Sequence, residues 1–299
     1  MGHVSVVIVA YNSGEFIRRC LATVGSGHGE VVVVDSGSPD GAAGIARDEF
    51  PDVRLIARSR NDGFGSAANV GVAATSGRWV LLLNPDAWPI DDAVDQLVQF
   101  ADGRPGLGAT GPLLFSAEGQ PQRSTIRPPL GPAPLALWAT FPRVLSGAYG
   151  LWRRVTSALR RGRVRPAEFL QGAALLLRRD AFEQVGGFDE SFFMYGEDAD
   201  LCARLRDAGW SVALCPSARF VHVGGGSTRG DSERMQLELL RSWLRLIAKL
   251  KGIGEAERAR RWLLRAMRVR ALASRGPRYR DVVSWLASGR AGELLGLPE

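Results

Sequence analysis

The sequence predicts an α/β fold: a mostly parallel sheet flanked by helices, with an amphipathic helical extension at the C-terminus. Three observations predict it. Short continuous β-branched runs such as Val4–Ala10 alternate with segments of helical spacing, the pattern of strands buried on both faces and joined by crossover helices. Residues that carry chemistry stand just past the ends of those runs, at Asn12, Asp35 and Asn84-Pro85-Asp86, where open α/β sheets place their ligands. After Thr228 the strand-like runs give way to stripes of leucine and tryptophan set against arginine, which is how amphipathic helices read.

Taken in order, Val4–Ala10 reads as the first strand and Ser13–Val24 as a helix with Phe16, Ile17, Cys20, Leu21 and Val24 on one side. Glu30–Val34 is a second buried strand ending at Asp35, and the turn formers of DSGSPDG follow. Gly41–Phe50 reads as a helix, Val53–Ile56 as a short strand, Asn61–Gly65 as a turn and Ser66–Thr75 as a helix of small residues. Trp79–Leu83 is a strand running into Asn84-Pro85-Asp86, and Asp91–Phe100 is a helix. Gly119–Pro134 is rich in proline and arginine and reads as a long loop; Trp138–Arg165 mixes aromatics with arginine. Phe169–Arg178 is apolar, and GGFDESFFMYGEDADLCARLRDAG runs from a turn into a helix that buries Leu201, Ala203 and Leu205. Trp210–Leu214 is a strand, and Phe220-Val221-His222-Val223 closes this half. In Ser232–Lys251 an apolar stripe (Leu237, Leu240, Trp243, Leu244, Ile247, Leu250) opposes Arg234, Arg241, Arg245 and Lys249. Glu255–Arg275 repeats the theme, with Trp262, Leu263, Ala266 and Met267 against Arg258, Arg261, Arg265 and Arg268. The expected division is a body over 1–228 and a helical extension over 229–299.

Composition removes several classes. At 299 residues, 45% hydrophobic and 23% charged, the chain is too apolar to be disordered and long enough to bury a core. Cys20, Cys202 and Cys215 are odd in number and far apart, which argues against a disulfide framework and fits a reducing cytoplasm. No stretch reaches the roughly 18 apolar residues of a membrane span. The opening MGHVSVVIVAYN lacks a basic leader and reads as a strand, not a signal peptide. The net charge of +7 is uneven. Residues 1–228 are near neutral, with 22 basic and 23 acidic side chains, yet residues 143–165 carry seven arginines and no acid. Residues 229–299 carry 16 basic and 8 acidic side chains. Two basic regions on a neutral body point to an anionic surface, and away from a protein coated for nucleic acid.

Seven pieces appear in a fixed order over about residues 4–228: VSVVIVAYNS, VVVVDSGSPDG, NDGFGSAANVG, WVLLLNPDA, FLQGAALLLRR, GGFDESFFMYGEDADLCARLRDAGW and the late His222. Together they resemble the family 2 glycosyltransferases of the GT-A (Rossmann-like) fold. The NPD triplet in place of DxD, and the FMYxEDxDLC block, resemble the rhamnosyltransferase-like branch. The resemblance implies an inverting, metal-dependent transfer using Mg²⁺ or Mn²⁺. It further implies dTDP-L-rhamnose as donor and a polyprenyl-diphosphate-linked sugar such as GlcNAc as acceptor, in cell-wall or polysaccharide assembly at the inner face of the membrane. UDP-galactofuranose or UDP-glucose stays open as donor. A nucleotidyltransferase is disfavoured, because Tyr11-Asn12-Ser13-Gly14-Glu15 after strand one is not a phosphate loop.

The resemblance assigns roles to residues. Asp86 is the main metal ligand, with Asn84 in place of the first carboxylate and on the sugar or ribose; hard oxygen ligands suit a cation that neutralises a diphosphate leaving group. His222 is the second ligand, although a lone histidine is as readily structural. Ala10, Tyr11, Asn12, Asp35, Asp62, Gly63 and Asn69 line the donor, although the Asn61–Gly65 segment and Asn69 could equally serve only a tight turn and helix packing. A carboxylate at Asp35 can accept the imide N–H of uracil or thymine alike, and could equally close an Asx turn. Asp198 is the general base and Glu197 orients it or the acceptor; both could instead be acids complementing a helix N-terminus. Gln171, Gly172, Gly187, Phe188 and Asp189 face the acceptor, or pack the core. The C-terminal helices either lie on anionic lipid, pack on the body or pair in a homodimer.

Overall fold

The computed structural model describes residues 4–24, 29–126, 128–140, 165–224, 232–274 and 279–297. They form two compact units, one from Met1–Arg127 and Gly162–Gly230, the other from Pro128–Arg161 and Asp231–Glu299. The chain passes between the units at Arg127/Pro128, Arg161/Gly162 and Gly230/Asp231. The internal stretch from Pro128 groups with the C-terminal helices, because its helix buries Leu135 and Ala139 among them. Much of the basic stretch 143–165 lies outside the described residues.

The first unit begins β1 (Val4–Ala10), α1 (Gly14–Val24), β2 (Val31–Asp35), α2 (Ala42–Glu49), β3 (Arg54–Ala57), α3 (Phe64–Ala73) and β4 (Trp79–Leu83). β5 (Ala87–Pro89), α4 (Ala93–Asp102) and β6 (Leu107–Phe115) follow. After α5 (Pro132–Thr140), which belongs to the second unit, come β7 (Arg165–Pro166), β8 (Ala174–Arg178), α6 (Arg179–Gln184), α7 (Glu197–Asp207) and β9 (Ser211–His222). β5 and β6 were not expected as strands. β5 has three residues, and β6 carries Gly108, Gly111 and Pro112, which dilute the strand signal.

The sheet runs β3-β2-β1-β4-β8-β6-β9-β5, with β7 against β9. β3, β2, β1 and β4 pair in parallel; β8 inserts antiparallel between β4 and β6, and β6 pairs parallel with β9. The carboxyl ends of β1, β2, β4 and β9 therefore share one edge with the start of β8. β1 and β2 are buried at every position, as strands covered on both faces must be. Helix α3 lies close because Gly71 has no side chain: a Cβ there would sit 2.3 Å from Val7 Cγ1. Toward the opposite edge, Arg178 is buried with its guanidinium over Trp79, 4.4 Å from the ring centre, and its Nε donates to the Leu107 carbonyl at 2.8 Å.

The second unit packs α5 with α8 (Ser232–Lys251), α9 (Ile253–Ser274), α10 (Arg280–Ala287) and α11 (Ala291–Leu295). Its core takes Leu240, Trp243, Leu244 and Ile247 from α8, and Ala256, Ala259, Leu263 and Met267 from α9. Trp262 was expected on that buried side but is 50% exposed. The buried stripe of α9 follows 256, 259, 263 and 267, and Trp262 stands about 100° from it. Among the described residues no helix is long and apolar enough to cross a membrane.

Candidate active site

The shared sheet edge gathers the chemistry. Asp35 closes β2 and is buried; its Oδ2 accepts the backbone N–H of Gly37 (3.1 Å) and Ser38 (3.0 Å). Ser38 Oγ in turn accepts the N–H of Asn12 (3.1 Å), which holds a left-handed backbone at φ +48°. The Ala10 carbonyl accepts the Ser36 N–H at 2.9 Å, and Tyr11 is half-buried beside it. So the Asx turn at Asp35 exists, but it uses only one oxygen. Asp35 Oδ1, Asn12 Oδ1, Ser13 Oγ and Ser36 Oγ are buried with no hydrogen-bond partner among the described residues. Buried polar atoms left without partners cost about 1–3 kcal/mol each, so four of them around two adjoining strand ends mark a place built for a polar ligand.

In the 58–69 segment the turn and packing roles that the sequence left open are the ones the contacts show. Asp62 is held by Arg58 Nη2 (2.9 Å) and Arg60 Nε (2.7 Å), so its carboxylate is engaged with cations of its own loop. Gly63 adopts φ +101°, and a Cβ there would lie 2.4 Å from the Phe193 carbonyl oxygen. That carbonyl accepts the Phe64 N–H at 3.0 Å, tying the start of α3 to the loop before α7. Asn69 closes the same junction: its Nδ2 donates to the Phe188 carbonyl (3.0 Å) and Glu190 Oε1 (3.0 Å), and its Oδ1 accepts the Phe188 N–H (2.9 Å). Its amide is thus spent on clamping the 187–190 loop. Gly187 leaves the room for it, since a Cβ there would sit 2.7 Å from Asn69 Oδ1. Phe188, expected toward the acceptor, is 3% exposed and packs edge-on against Phe64 and Phe182, with centroids 5.9 and 5.6 Å away. It wedges the loop in place and offers no face to a sugar. Asp189 Oδ1 accepts the Ser191 N–H (2.9 Å) within that loop.

Asn84 follows β4. Its N–H donates to the Ala173 carbonyl (2.9 Å) and its carbonyl accepts the Ala87 N–H (3.0 Å), a turn that delivers Asp86 to β5. β5 pairs antiparallel with β9, setting Ala87 opposite His222. Asp86 and His222 are both buried, with Asp86 Oδ1 3.6 Å from His222 Nε2. Asp86 Oδ2 accepts the Gly224 N–H at 3.1 Å. Burial pushes the imidazole's pKa down, and the Asp86 charge opposes that shift only in part. A carboxylate oxygen and a neutral histidine nitrogen, too far apart to hydrogen-bond, form a donor set that suits a divalent cation. Among the described residues no group of three or more His, Cys, Asp or Glu converges, so the protein would supply two ligands and leave the rest to substrate oxygens and water.

Glu197 and Asp198 open α7 behind Gly196, whose φ is +89°. Asp198 Oδ2 accepts the Gly172 N–H (3.0 Å) and Oδ1 accepts the Ala199 N–H (2.8 Å). Gly172 and Ala173 immediately precede β8, and the Ala173 carbonyl accepts the Asn84 N–H, so Asp198 is pinned to the same edge as Asn84. Both carboxyls are buried, and burial pushes both up, Asp198 to about 6 against its backbone donors and Glu197 to about 8 with the Asp198 charge adding. Glu197 Oε2 is buried with no hydrogen-bond partner among the described residues. Asp200 turns from this pair to accept Arg204 Nε at 2.7 Å. Gln171 donates its N–H to the Ser124 carbonyl (3.2 Å) and is half-buried next to Gly172. All three cysteines are buried and free.

Two residues here were not singled out by sequence reasoning. Gln122 lies against His222: its Nε2 donates to the His222 carbonyl (2.8 Å) and its Oε1 faces Nδ1 at 3.2 Å. It sits in a proline-rich stretch read as loop, with no motif around it. Tyr195 holds φ +68° just ahead of Glu197, and burial raises its phenol's pKa. A bulky residue in that backbone region is the usable signal, and only coordinates carry it.

A family model described as glycosyl transferase family 2 matches residues 5–186, and one described as glycosyl transferase family group 2 matches residues 143–290. The chain is 35% identical over 244 residues to the N-acetylglucosaminyl-diphospho-decaprenol L-rhamnosyltransferase of Mycobacterium tuberculosis, covering 76% of this chain and 78% of that one. It is 32% identical over 230 residues to the succinoglycan biosynthesis protein ExoO of Rhizobium meliloti, covering 75% and 62%. Among solved structures, GalNAc-T7 with UDP, GalNAc and Mn²⁺ aligns at a TM-score of 0.61 and 15% identity, covering 99% of this chain and 58% of that one. The mannosyltransferase PcManGT of Pyrobaculum calidifontis, in complex with GDP-Man and Mn²⁺, aligns at 0.54 and 16%, covering 99% and 86%. At those identities the structures speak to the fold alone. The sequence matches carry the family: the chain belongs to glycosyl transferase family 2 and is a glycosyltransferase.

Proposed function

We propose that the protein transfers L-rhamnose from dTDP-L-rhamnose to a GlcNAc-diphospho-polyprenol with inversion at the anomeric carbon. The observation that carries the chemistry is the gathering of Asp35, Asp86 with His222, and Glu197-Asp198 on one sheet edge, each held by backbone N–H groups or a neighbouring side chain. The transferred sugar and the acceptor class come from the similarity to the mycobacterial rhamnosyltransferase; dTDP as carrier rests on the motif resemblance. In this reading the unpartnered Asp35 Oδ1 accepts the thymine imide N–H, and Asn12 and Ser36 complete the nucleoside contacts. Asp86 and His222 hold Mg²⁺ or Mn²⁺, which when bound neutralises the departing diphosphate as a Lewis acid. Asp198 takes the proton from the acceptor hydroxyl as its oxygen bonds to the anomeric carbon. The bond from that carbon to the diphosphate oxygen breaks, and dTDP leaves with the electron pair. A base whose pKa is raised toward the working pH suits that task. Glu197, protonated at neutral pH, donates to the acceptor or to Asp198.

The acceptor carries a lipid, and α9 offers a face for its membrane. Trp262, Val269 and Leu272 are 50%, 64% and 82% exposed. Arg258, Arg261, Arg265 and Arg268 are exposed on the same helix. Apolar side chains interleaved with arginine suit an anionic lipid surface, and we place the enzyme peripherally at the inner face.

The test is a transfer assay with a panel of nucleotide sugars and a GlcNAc-diphospho-polyprenol acceptor. Turnover with dTDP-L-rhamnose that stops in chelator and returns with Mg²⁺ or Mn²⁺ is expected. Preference for a UDP-sugar would overturn the donor, and full rate in excess chelator would overturn the metal.

A further inference from the structure

We propose that Gln122 is a positioning residue: it fixes His222 as the Nδ1–H tautomer and so keeps Nε2 a bare lone pair directed at Asp86. The inference rests on the metal reading of Asp86 and His222 for its purpose, but its geometry stands by itself. A backbone carbonyl only accepts hydrogen bonds. The Gln122 amide atom 2.8 Å from the His222 carbonyl is therefore the NH₂ group. The other amide atom must then be the oxygen, and it lies 3.2 Å from His222 Nδ1. An amide oxygen also only accepts, so Nδ1 has to carry the ring's proton. Nε2 is left without one, 3.6 Å from Asp86 Oδ1. Two lone-pair atoms facing one another at that distance gain nothing from each other directly, and the pair suits a cation bound by both. One glutamine thus reads both the main chain and the ring of the same histidine, and the backbone reference makes the amide orientation unambiguous.

The support behind Gln122 is firm. Its N–H donates to the Leu114 carbonyl (2.7 Å), and the Leu114 N–H donates to Ser124 Oγ (2.8 Å). Ser116 and Gln120 close the turn between them at 2.7 Å. The glutamine is bolted to β6, which pairs with β9 up to Phe115 opposite Val221, one residue before His222. Metal-bound histidines are oriented through their second ring nitrogen in this way, and loss of the partner costs about 10–100-fold in metal affinity.

The experiment uses the full chain, ¹⁵N-labelled, and reads the multiple-bond ¹H–¹⁵N correlations of its histidine rings. There are only three, His3, His28 and His222, and His222→Asn assigns the third. The metal-free wild type is expected to show His222 with a protonated Nδ1 and an unprotonated Nε2. Gln122→Leu is expected to lose that pattern and to weaken Mn²⁺ binding, followed by electron paramagnetic resonance with dTDP present, by about 10–100-fold. Gln122→Glu keeps an acceptor for Nδ1–H but loses the donor to the His222 carbonyl, so it is expected to keep the Nδ1–H ring pattern. A wild-type His222 with its proton on Nε2 overturns the proposal without any variant. An unchanged ring pattern in Gln122→Leu overturns it too. A correct tautomer in a protein that binds no Mn²⁺ overturns the ligand role and the metal reading together, leaving the donor and base assignments standing.

Discussion

Asp198 is held by two backbone donors and buried, so its value to the reaction can be separated from its value to the fold. Asp198→Asn removes the proton acceptor and is expected to lower kcat by about 10²–10⁴-fold. Nucleotide binding, read as a thermal shift with dTDP, should survive and certifies that the variant is folded. Because burial lifts Asp198 to about 6, the acid limb of kcat/KM should fall near there, above the ordinary carboxylate range of about 4. A limb at about 4 would remove Asp198 as the base. Glu197 gives a stability prediction. Its folded pKa of about 8 lies above the unfolded value, so the folded state binds more protons between roughly pH 4.5 and 8 and loses stability as pH rises through that window. Glu197→Gln cannot ionise, so its melting temperature should gain on the wild type between pH 5 and pH 8.5. A gap that does not change with pH would contradict the raised pKa.

At the scale of elements, the loop 187–196 is positioned by α3. Gly63 abuts the Phe193 backbone, Asn69 holds Phe188 and Glu190, and Phe188 wedges between Phe64 and Phe182. This loop leads into Glu197-Asp198, so the residues of α3 position the proposed base through packing. Gly63→Ala should therefore cost at least about 1–3 kcal/mol in chemical denaturation and lower kcat, while dTDP affinity changes little. An equal loss of dTDP affinity would return Gly63 to a direct donor role. The strand ends were legible: Asp35 and Asn84-Pro85-Asp86 lie where apolar runs stop. The clamp was not, because Asn69 and Phe188 are 119 residues apart and periodicity reports only local structure.

The whole molecule separates chemistry from charge. The sheet unit holds the candidate site, and the helical unit carries the exposed face of α9 with Trp262, Val269, Leu272 and its arginines. Each arginine near an anionic surface contributes about 1 kcal/mol. Arg265→Ala with Arg268→Ala should thus weaken binding to phosphatidylglycerol vesicles by roughly 30-fold, with little effect on turnover of a short-chain soluble acceptor. Unchanged sedimentation with those vesicles would turn attention from lipid to another occupant of that face. The grouping of Pro128 onward with the C-terminal helices was invisible in the sequence, since an apolar segment shows that it is buried and not against what.

By itself the sequence determined the order of strands and helices in the first hundred residues apart from β5, the family, and the residue types of the candidate site apart from Gln122 and Tyr195. Each of these is local: side-chain periodicity, turn residues at strand ends, and short motifs in sequence order. Only the tertiary structure decided which motif residues hold the fold and which remain for a ligand. It engaged Asp62 with Arg58 and Arg60, spent Asn69 on a loop, buried Phe188, and left Asp35 Oδ1 and Glu197 Oε2 without hydrogen-bond partners among the described residues. It also brought Gln122 to His222 across 100 residues. The physical reason is that hydrogen-bond satisfaction and burial are settled by the whole packed chain, and a one-dimensional pattern holds no record of which distant atom meets which.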